Sequence, residues 1–476
     1  MKSSNKKEPK ASSKEKSKKG RHHFPTYAEE YEAGRAMRKN CPRKSHAEWK
    51  ATSNRRDPVE LVLEAETGRI PELLPLRHGR MVRSAFTFYR GAAGTMAADL
   101  TTTPSSGLRV NCCGDAHLSN FGGFGTPERK VIFSINDLDE TLPAPWEWDV
   151  KRLAASFVVA SRDNGLKDSA AKDVAATCVR TYRESISEYS KMNTLELWYN
   201  ALNVDELVSV IKDPRLRIRA IKRLQKERQK SVAEDIFPRM VESKDGIPTI
   251  KDQLPTIFHT ENHPPGKVQD AVKLAFSGYR DSLSSSYQDL LDRFKIRDAA
   301  IKVVGIGSVG TMCVVLLLMA EEGDPLFLQI KEARSSVLEP YAGASIFKNH
   351  GQRVVHGYRI MQPASDIFLG WGKGELTKHD FFVRQLRDIK ISIRVESFGS
   401  PEMNLYATWC GRALALSHAR SGNSAMLSGY MGTSDAFDEA IASFSIAYAD
   451  QNESDHAALD RAVRQGKVKA EFEEPN

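Results

Sequence analysis

Long apolar runs are missing from this sequence. The longest, residues 312–320, falls far short of the roughly 20 residues that cross a bilayer as a helix, so no membrane span is expected. No apolar segment of the secretory kind follows Met1, so no signal peptide is expected. Cysteine is scarce. The six, at 41, 112, 113, 178, 313 and 410, have no metal-ligand spacing, and the vicinal pair Cys112-Cys113 suits no structural disulfide. A reduced, cytoplasmic protein is expected. Internal repeats are absent. Most of the chain also lacks excess charge. Residues 1–22 hold nine Lys/Arg and two Asp/Glu, a net +7 of the chain's +8. This Ser- and Lys-rich tail is expected to be disordered. It reads as a solubilising extension or as a weak contact for nucleic acid or anionic lipid.

What is present is an ordinary globular composition, 41% hydrophobic and 27% charged over 476 residues. That length allows two or three domains and a sizeable core. Residues 45–100 read as largely helical, with a loop at 71–75 and a helix near 86–100. Strands are expected over 108–113 and 131–135, paired as a hairpin around the turn-rich stretch 122–129. Val150, Leu153, Ala154, Phe157 and Val158 fall at i, i+3, i+4, i+7 and i+8, an amphipathic helix. Helical patterns continue to about 300, through a Lys/Arg-dense stretch at 215–230 and an irregular excursion over 246–266. Strands then take over at 301–304, 313–319, 326–331, 367–370 and 381–386, with a helix across 342–361. Tyr406, Trp409, Ala413 and Leu416 mark a helix ending near Gly422, and the last fifty residues read as helical.

Three constellations carry chemistry. The first is Cys113-Gly114-Asp115-Ala116-His117-Leu118-Ser119-Asn120-Phe121, followed by Asn136-Asp137-Leu138-Asp139-Glu140. An Asp, an Asn five residues on and a later Asp suit phosphoryl transfer. Asp115 would take a hydroxyl proton, while Asn120 and Asp137 would hold Mg²⁺ on a nucleoside triphosphate. The alternative readings are a turn for Asp115, a cap for Asn120 and a solvated loop around Asp137 and Asp139. His117 reads as a hydrogen-bonding residue that shapes the loop. The second is Gly305-Ile306-Gly307-Ser308-Val309-Gly310, set between strands rather than before a helix. Strand, glycine loop, strand is the kinase type of phosphate cover. The third is Lys331, inward on a strand, a costly place unless a phosphate or carboxylate pairs it. Its usual helix Glu is lacking, because 342–361 contains none; Gln352 or another polar group is the substitute. Arg90 is a candidate for substrate or phosphate, or for a structural ion pair.

A rival reading starts from Gly-Asp-x-His, which also occurs in two-metal phosphoesterases. Those need an Asp-x-His upstream and a Gly-Asn-His downstream. This chain has only Lys348-Asn349-His350.

The ordered motifs from Phe88-Tyr89-Arg90-Gly91 to the 406–422 helix resemble the bacterial domain of unknown function 2252, over roughly residues 50 to 460. More remotely, residues 114–120 are similar to the His-Gly-Asp-Leu-His-x-x-Asn loop of aminoglycoside and choline phosphotransferases. Cys113 stands where those enzymes have His. Residues 135–140 resemble their metal-binding strand end, and Trp148-Asp149-Val150-Lys151-Arg152-Leu153 the helix that follows. Ala413-Leu414-Ala415-Leu416-Ser417-His418 resembles the helix that precedes their catalytic loop. The likeness implies an α+β, two-lobed, protein-kinase-like fold in circularly permuted order. Residues 1–44 would be tail and linker, and 45–300 the catalytic half with added helices. Residues 301–395 would be the nucleotide-binding small lobe, and 396–476 the helices completing the large lobe. The implied cofactors are ATP and Mg²⁺, with an acceptor the sequence does not name. A nucleotide-binding pseudokinase is the alternative.

Overall fold

The structure is a computed structural model that describes residues 24–229, 232–259, 276, 278–321, 323–374, 379–386 and 389–473. The basic tail and residues 260–266 of the excursion lie outside the described residues. The fold is mixed α+β.

The pairing expected for the first strands is corrected. Strands β1 (Arg109–Cys112), β2 (Phe121–Gly125), β3 (Val131–Ile135) and β4 (Leu142–Pro145) pair as β1 with β4 and β2 with β3, both antiparallel. Gly122, Gly123 and Gly125 read locally as turn residues but lie in a strand. A Cβ at Gly122 would sit 2.6 Å from the Ile391 carbonyl oxygen, and one at Gly125 3.1 Å from Ile389. Glycine is there for the close approach of a distant segment, not for a turn.

Strands also begin before residue 300. β5 (Val241–Lys244) and β6 (Ile247–Ile250) form a hairpin, β5 where helix was expected and β6 within the stretch expected to be irregular. Its turn is Asp245-Gly246, with φ of 52° and 81°, the two left-handed residues that suit a tight hairpin. Next come β7 (Ile257–Phe258), β8 (Lys295–Lys302), β9 (Cys313–Met319), β10 (Pro325–Ala333), β11 (Gly370–Lys373) and β12 (Asp380–Gln385). They form a six-stranded sheet in the order β11-β12-β10-β9-β8-β7. The last strand, β13 (Lys390–Ser392), pairs instead with β2.

β9 is buried along its whole length and splits its side chains by the two-residue period of a strand. Val314, Leu316 and Leu318 join Leu328 and Val383 on one face. Val315, Leu317 and Met319 join Ile250 and Phe327 on the other. The largest core lies elsewhere, among the helices Trp146–Asp163, Asp168–Tyr189, Ser400–Ser421 and Ala436–Arg464. Trp146 is its anchor, stacked on Tyr182 with ring centroids 5.8 Å apart.

Three helical expectations shift. The helix of 342–361 is His350–Met361, preceded by the short turn Glu339–Ala342. Gly343, at φ 99°, ends that turn, and Asn349 caps the helix by accepting from the Gln352 N–H. The helix near 86–100 is two, Ala85–Gly91 and Ala93–Leu100. The loop at 71–75 is a helical entry, with prolines at the first positions of Pro71–Leu73 and Leu74–Met81. Among the described residues no helix is long and apolar enough to cross a membrane.

Candidate functional site

The Asp115 loop is built from β1 outward. Gly114 has φ 82°, and a Cβ there would lie 2.3 Å from the Glu140 carbonyl oxygen, so only glycine fits. Asp149, in the first turn of Trp146–Asp163, accepts from the N–H groups of Cys113 at 2.6 Å and Gly114 at 3.0 Å. His418 Nε2 lies 3.1 Å from the same carboxylate, and the Tyr182 hydroxyl is 2.8 Å from His418 Nδ1. Tyr406 donates to the carbonyls of Leu118 and Phe121, and the Leu118 N–H donates to Ser156. Every one of these contacts is buried. Cys113 donates its thiol to the Asp137 carbonyl, 3.4 Å away.

The loop's functional groups then fall into place. Arg152 Nε donates to Asp115 Oδ1 at 2.7 Å, and its guanidinium lies 4.6 Å from the centre of the Tyr89 ring. Asn120 Nδ2 donates to the Asp115 carbonyl at 2.9 Å, which leaves Oδ1 as the atom a cation can use. His117 Nε2 is 3.7 Å from Asp115 Oδ2, and its Nδ1 is buried and unbonded. Burial, helped by the charges of Arg90 and Arg152 and opposed by Asp115, pushes its pKa down to about 4. His117 shapes the loop through its backbone, not through its ring: its N–H donates to Asp115 O and its carbonyl accepts from Asn120 N–H.

Lys331 projects from β10 to the same place. Its Nζ is 2.7 Å from Asp139 Oδ2 and 3.6 Å from Asp137 Oδ2. Asp139 fills the role expected of a helix acid or of Gln352. Burial raises both carboxyls, but the two respond differently. Lys331 and Arg384 outweigh burial at Asp137 and hold it below the usual carboxylate range. At Asp139 burial and the neighbouring Asp137 charge prevail over Lys331 and push it up to about 7. Burial lowers Lys331, yet the two acids outweigh it and raise the ammonium's pKa. Asp137 Oδ1 and Asp139 Oδ1 are buried and unbonded. Hard, unsatisfied carboxylate oxygens beside Asn120 fit Mg²⁺.

The glycine turn closes the other side. Ile306–Ser308 forms a 3₁₀ turn, and the Ser308 N–H donates to the Gly305 carbonyl. Gly310 needs its left-handed φ of 85°. Gly305 and Gly307 have no such need. A Cβ at Gly305 would meet nothing within 4 Å, and one at Gly307 only the Arg90 carbonyl at 3.5 Å. Their small size leaves backbone open to the cleft, the property a phosphate cover uses.

Asp115, His117, Asn120, Asp137, Asp139, Gly305, Gly307, Ser308, Lys331 and Arg90 all line one cleft of about 1320 Å³. Gly310 is not among the lining residues and lies against Arg69 and Ile70. The helix Ser400–Ser421 lies against the Asp115 loop although it comes much later in the chain. Its end meets the start of β1, where the Asn111 N–H donates to Ser421 Oγ at 3.2 Å.

Sequence reasoning missed Arg152, Arg384 and the bracing role of Asp149. The signal was there: Glu147, Asp149, Lys151 and Arg152 are charged residues in two turns of a helix buried on all sides. Cys112, Asp149 and His418 also converge within 4.8 Å, a grouping no spacing rule reveals. Asp149 spends its oxygens there on backbone N–H groups and His418.

No curated protein and no solved structure matches the chain. One family match spans most of it, residues 69–462. It takes in the Asp115 loop, the glycine turn and Lys331, and by it the chain belongs to the family described as an uncharacterized protein conserved in bacteria (DUF2252).

Proposed function

We propose that the chain is an ATP- and Mg²⁺-dependent phosphotransferase that acts on a hydroxyl of a small-molecule acceptor. One observation carries the reading. Lys331 and the glycine turn share a cleft with Asp115, Asn120 and Asp137, and Lys331 Nζ lies 3.6 Å from Asp137. Groups that serve one triphosphate must converge in this way.

In this reading Asp115 accepts the proton of the acceptor hydroxyl, whose oxygen attacks the terminal phosphorus as the bond from that phosphorus to the bridging oxygen breaks and ADP leaves with the electron pair. Arg152 keeps that carboxylate oriented, and Asp149 fixes the loop that carries it. Asn120 and Asp137 would hold Mg²⁺, which neutralises charge on the phosphates. The backbone of 305–308 covers the phosphates and Lys331 pairs with them, exchanging Asp139 for a phosphate oxygen. The fold would be kinase-like and circularly permuted. The contact between Ser421 and β1 supports this, because it brings the end of the late helix to the strand that leads into the Asp115 loop.

A second reading, a nucleotide-binding pseudokinase, draws on the Arg152 clamp, which occupies Asp115 Oδ1. Thermal-shift titration with MgATP, followed by turnover assays, separates the two. Stabilisation that Lys331→Ala abolishes supports nucleotide binding. Turnover lost in Asp115→Ala with nucleotide still bound selects the phosphotransferase. Binding without turnover in the wild type selects the pseudokinase. Stabilisation by Mn²⁺ alone with phosphatase activity replaces both with phosphoester hydrolysis.

A further inference from the structure

We propose that Arg90 is the binding site for the phosphoryl group in transfer, a cation supplied in cis by the helix Ala85–Gly91. The inference rests on the phosphotransferase reading and adds a residue outside both the glycine turn and the Asp115 loop.

Position comes first. The last turn of Ala85–Gly91 touches both sides of the cleft. On one side the Tyr89 carbonyl accepts from Arg152 at 3.1 Å, and Arg152 holds Asp115. On the other side the Arg90 carbonyl lies 3.5 Å from where a Cβ on Gly307 would sit. A nucleotide covered by the glycine turn, with an acceptor hydroxyl at Asp115, places its terminal phosphorus between these two contacts.

Bonding comes second. Arginines around the cleft are mostly committed. Arg69 donates to the Val309 carbonyl, Arg77 to Glu66, Arg80 to Glu473 and Arg384 to the Asn136 carbonyl. Arg90 differs. Among the described residues it makes no hydrogen bond or ion pair, its Nε is shielded from solvent and unbonded, and its guanidinium lies 5.9 Å from the Phe86 ring. Burial lowers its pKa, and the charges of Asp115 and Glu396 oppose that shift. Arg90 is half-buried, with its Nε shielded and its side chain on the cleft wall; a partly desolvated guanidinium without a partner is costly, and an anion in the cleft relieves the cost.

Chemistry comes third. A guanidinium presents a planar fork of donors that matches two phosphoryl oxygens at once. Lining the same cleft as Asp115, it would pull on the charge that spreads over the equatorial oxygens during transfer. No bond to Arg90 forms or breaks, and the proton goes to Asp115.

The test compares MgATP with MgADP by calorimetry on the full chain, in wild type and Arg90→Gln. The wild type is expected to prefer ATP. Arg90→Gln should bind ADP within about twofold of wild type and lose about ten- to a hundredfold in ATP affinity, the usual weight of a charge-assisted contact. The ADP value shows that the variant is folded. If Arg90→Gln does not fold, Arg90→Lys is read in the same way, since an ammonium lacks the fork, and its ATP-to-ADP ratio should fall several-fold. An unchanged ratio in the folded variant overturns the assignment of Arg90 and leaves the phosphotransferase reading standing. A wild type that binds neither nucleotide overturns both.

Discussion

The two sides of the cleft are built by opposite means. The Asp115 loop is pinned from within, by Asp149, His418, Tyr406 and Ser156, all buried. The glycine turn has only short-range hydrogen bonds of its own, is backed by the buried Ile306 and Val309, and is otherwise strapped from outside. Ile70 N–H donates to the Gly310 carbonyl, Arg69 to Val309 and Arg80 to Val304. All three straps come from the segment just before the helix Ala85–Gly91. The difference teaches where precision is stored. On the phosphotransferase reading, a group that takes a proton must not wander, and an over-determined loop suits it. On that reading a turn that covers phosphates needs open backbone, which Gly305 and Gly307 leave on one side, while Ile306 and Val309 pack behind it.

The largest expected effect tests the pinned side. Asp149 is about 2% exposed, and its carboxylate lies 3.1 Å from His418 Nε2. Asp149→Ala orphans two buried N–H groups and should cost about 3–5 kcal/mol, read from the denaturant midpoint. A loss under about 1 kcal/mol would mean that the loop is not held by this carboxylate, and the contrast would fail.

Two glycines sharpen it. At Gly114 an alanine meets both a left-handed φ and the Glu140 backbone, so Gly114→Ala should lose about 2–4 kcal/mol. At Gly307 the same methyl finds space. Gly307→Ala should leave stability within about 0.5 kcal/mol and weaken MgATP. Equal destabilisation by the two would show that Gly307 is also a packing glycine.

This pair marks how far the sequence could be read. β9, β10 and β12, and the helices Trp146–Asp163 and Ser400–Ser421, were legible because their periods are local. Asp115, Asn120, Asp137 and Lys331 were legible because their residue types and spacing report chemistry. The pairing of β2 was not, because Gly122 and Gly125 answer to Ile389 and Ile391 from far along the chain. Asp139 as the partner of Lys331 was hidden for the same reason: the ion pair joins two segments that no sequence window spans. Arg152 was masked by a helix whose apolar stripe drew the attention.

Acid should act on the pinned side next. His117 is held neutral, with a folded pKa of about 4 against about 6.5 unfolded. Its contribution is full above the unfolded value and is lost as pH falls toward the folded one. At pH 5 the loss is about 2 kcal/mol. His117→Gln should flatten that part of the stability profile between pH 7 and 5, measured without metal or nucleotide. An unchanged slope would show that His117 becomes protonated in the folded loop.

The smallest effect belongs to the straps. Arg80 donates to the Val304 carbonyl at 3.1 Å and pairs with Glu473, whose side chain is about 24% exposed. A partly exposed pair of this kind contributes about 1 kcal/mol or less, so Arg80→Ala should shift the denaturant midpoint little. Its effect should appear in the turn itself, as faster amide exchange over residues 304–310 with the loop at 113–120 unchanged. If both regions loosen together, the two sides are coupled through Ala85–Gly91, whose last turn touches each. In that case the external straps also hold Asp115 in register, and the division between a pinned side and a strapped side dissolves into a single frame.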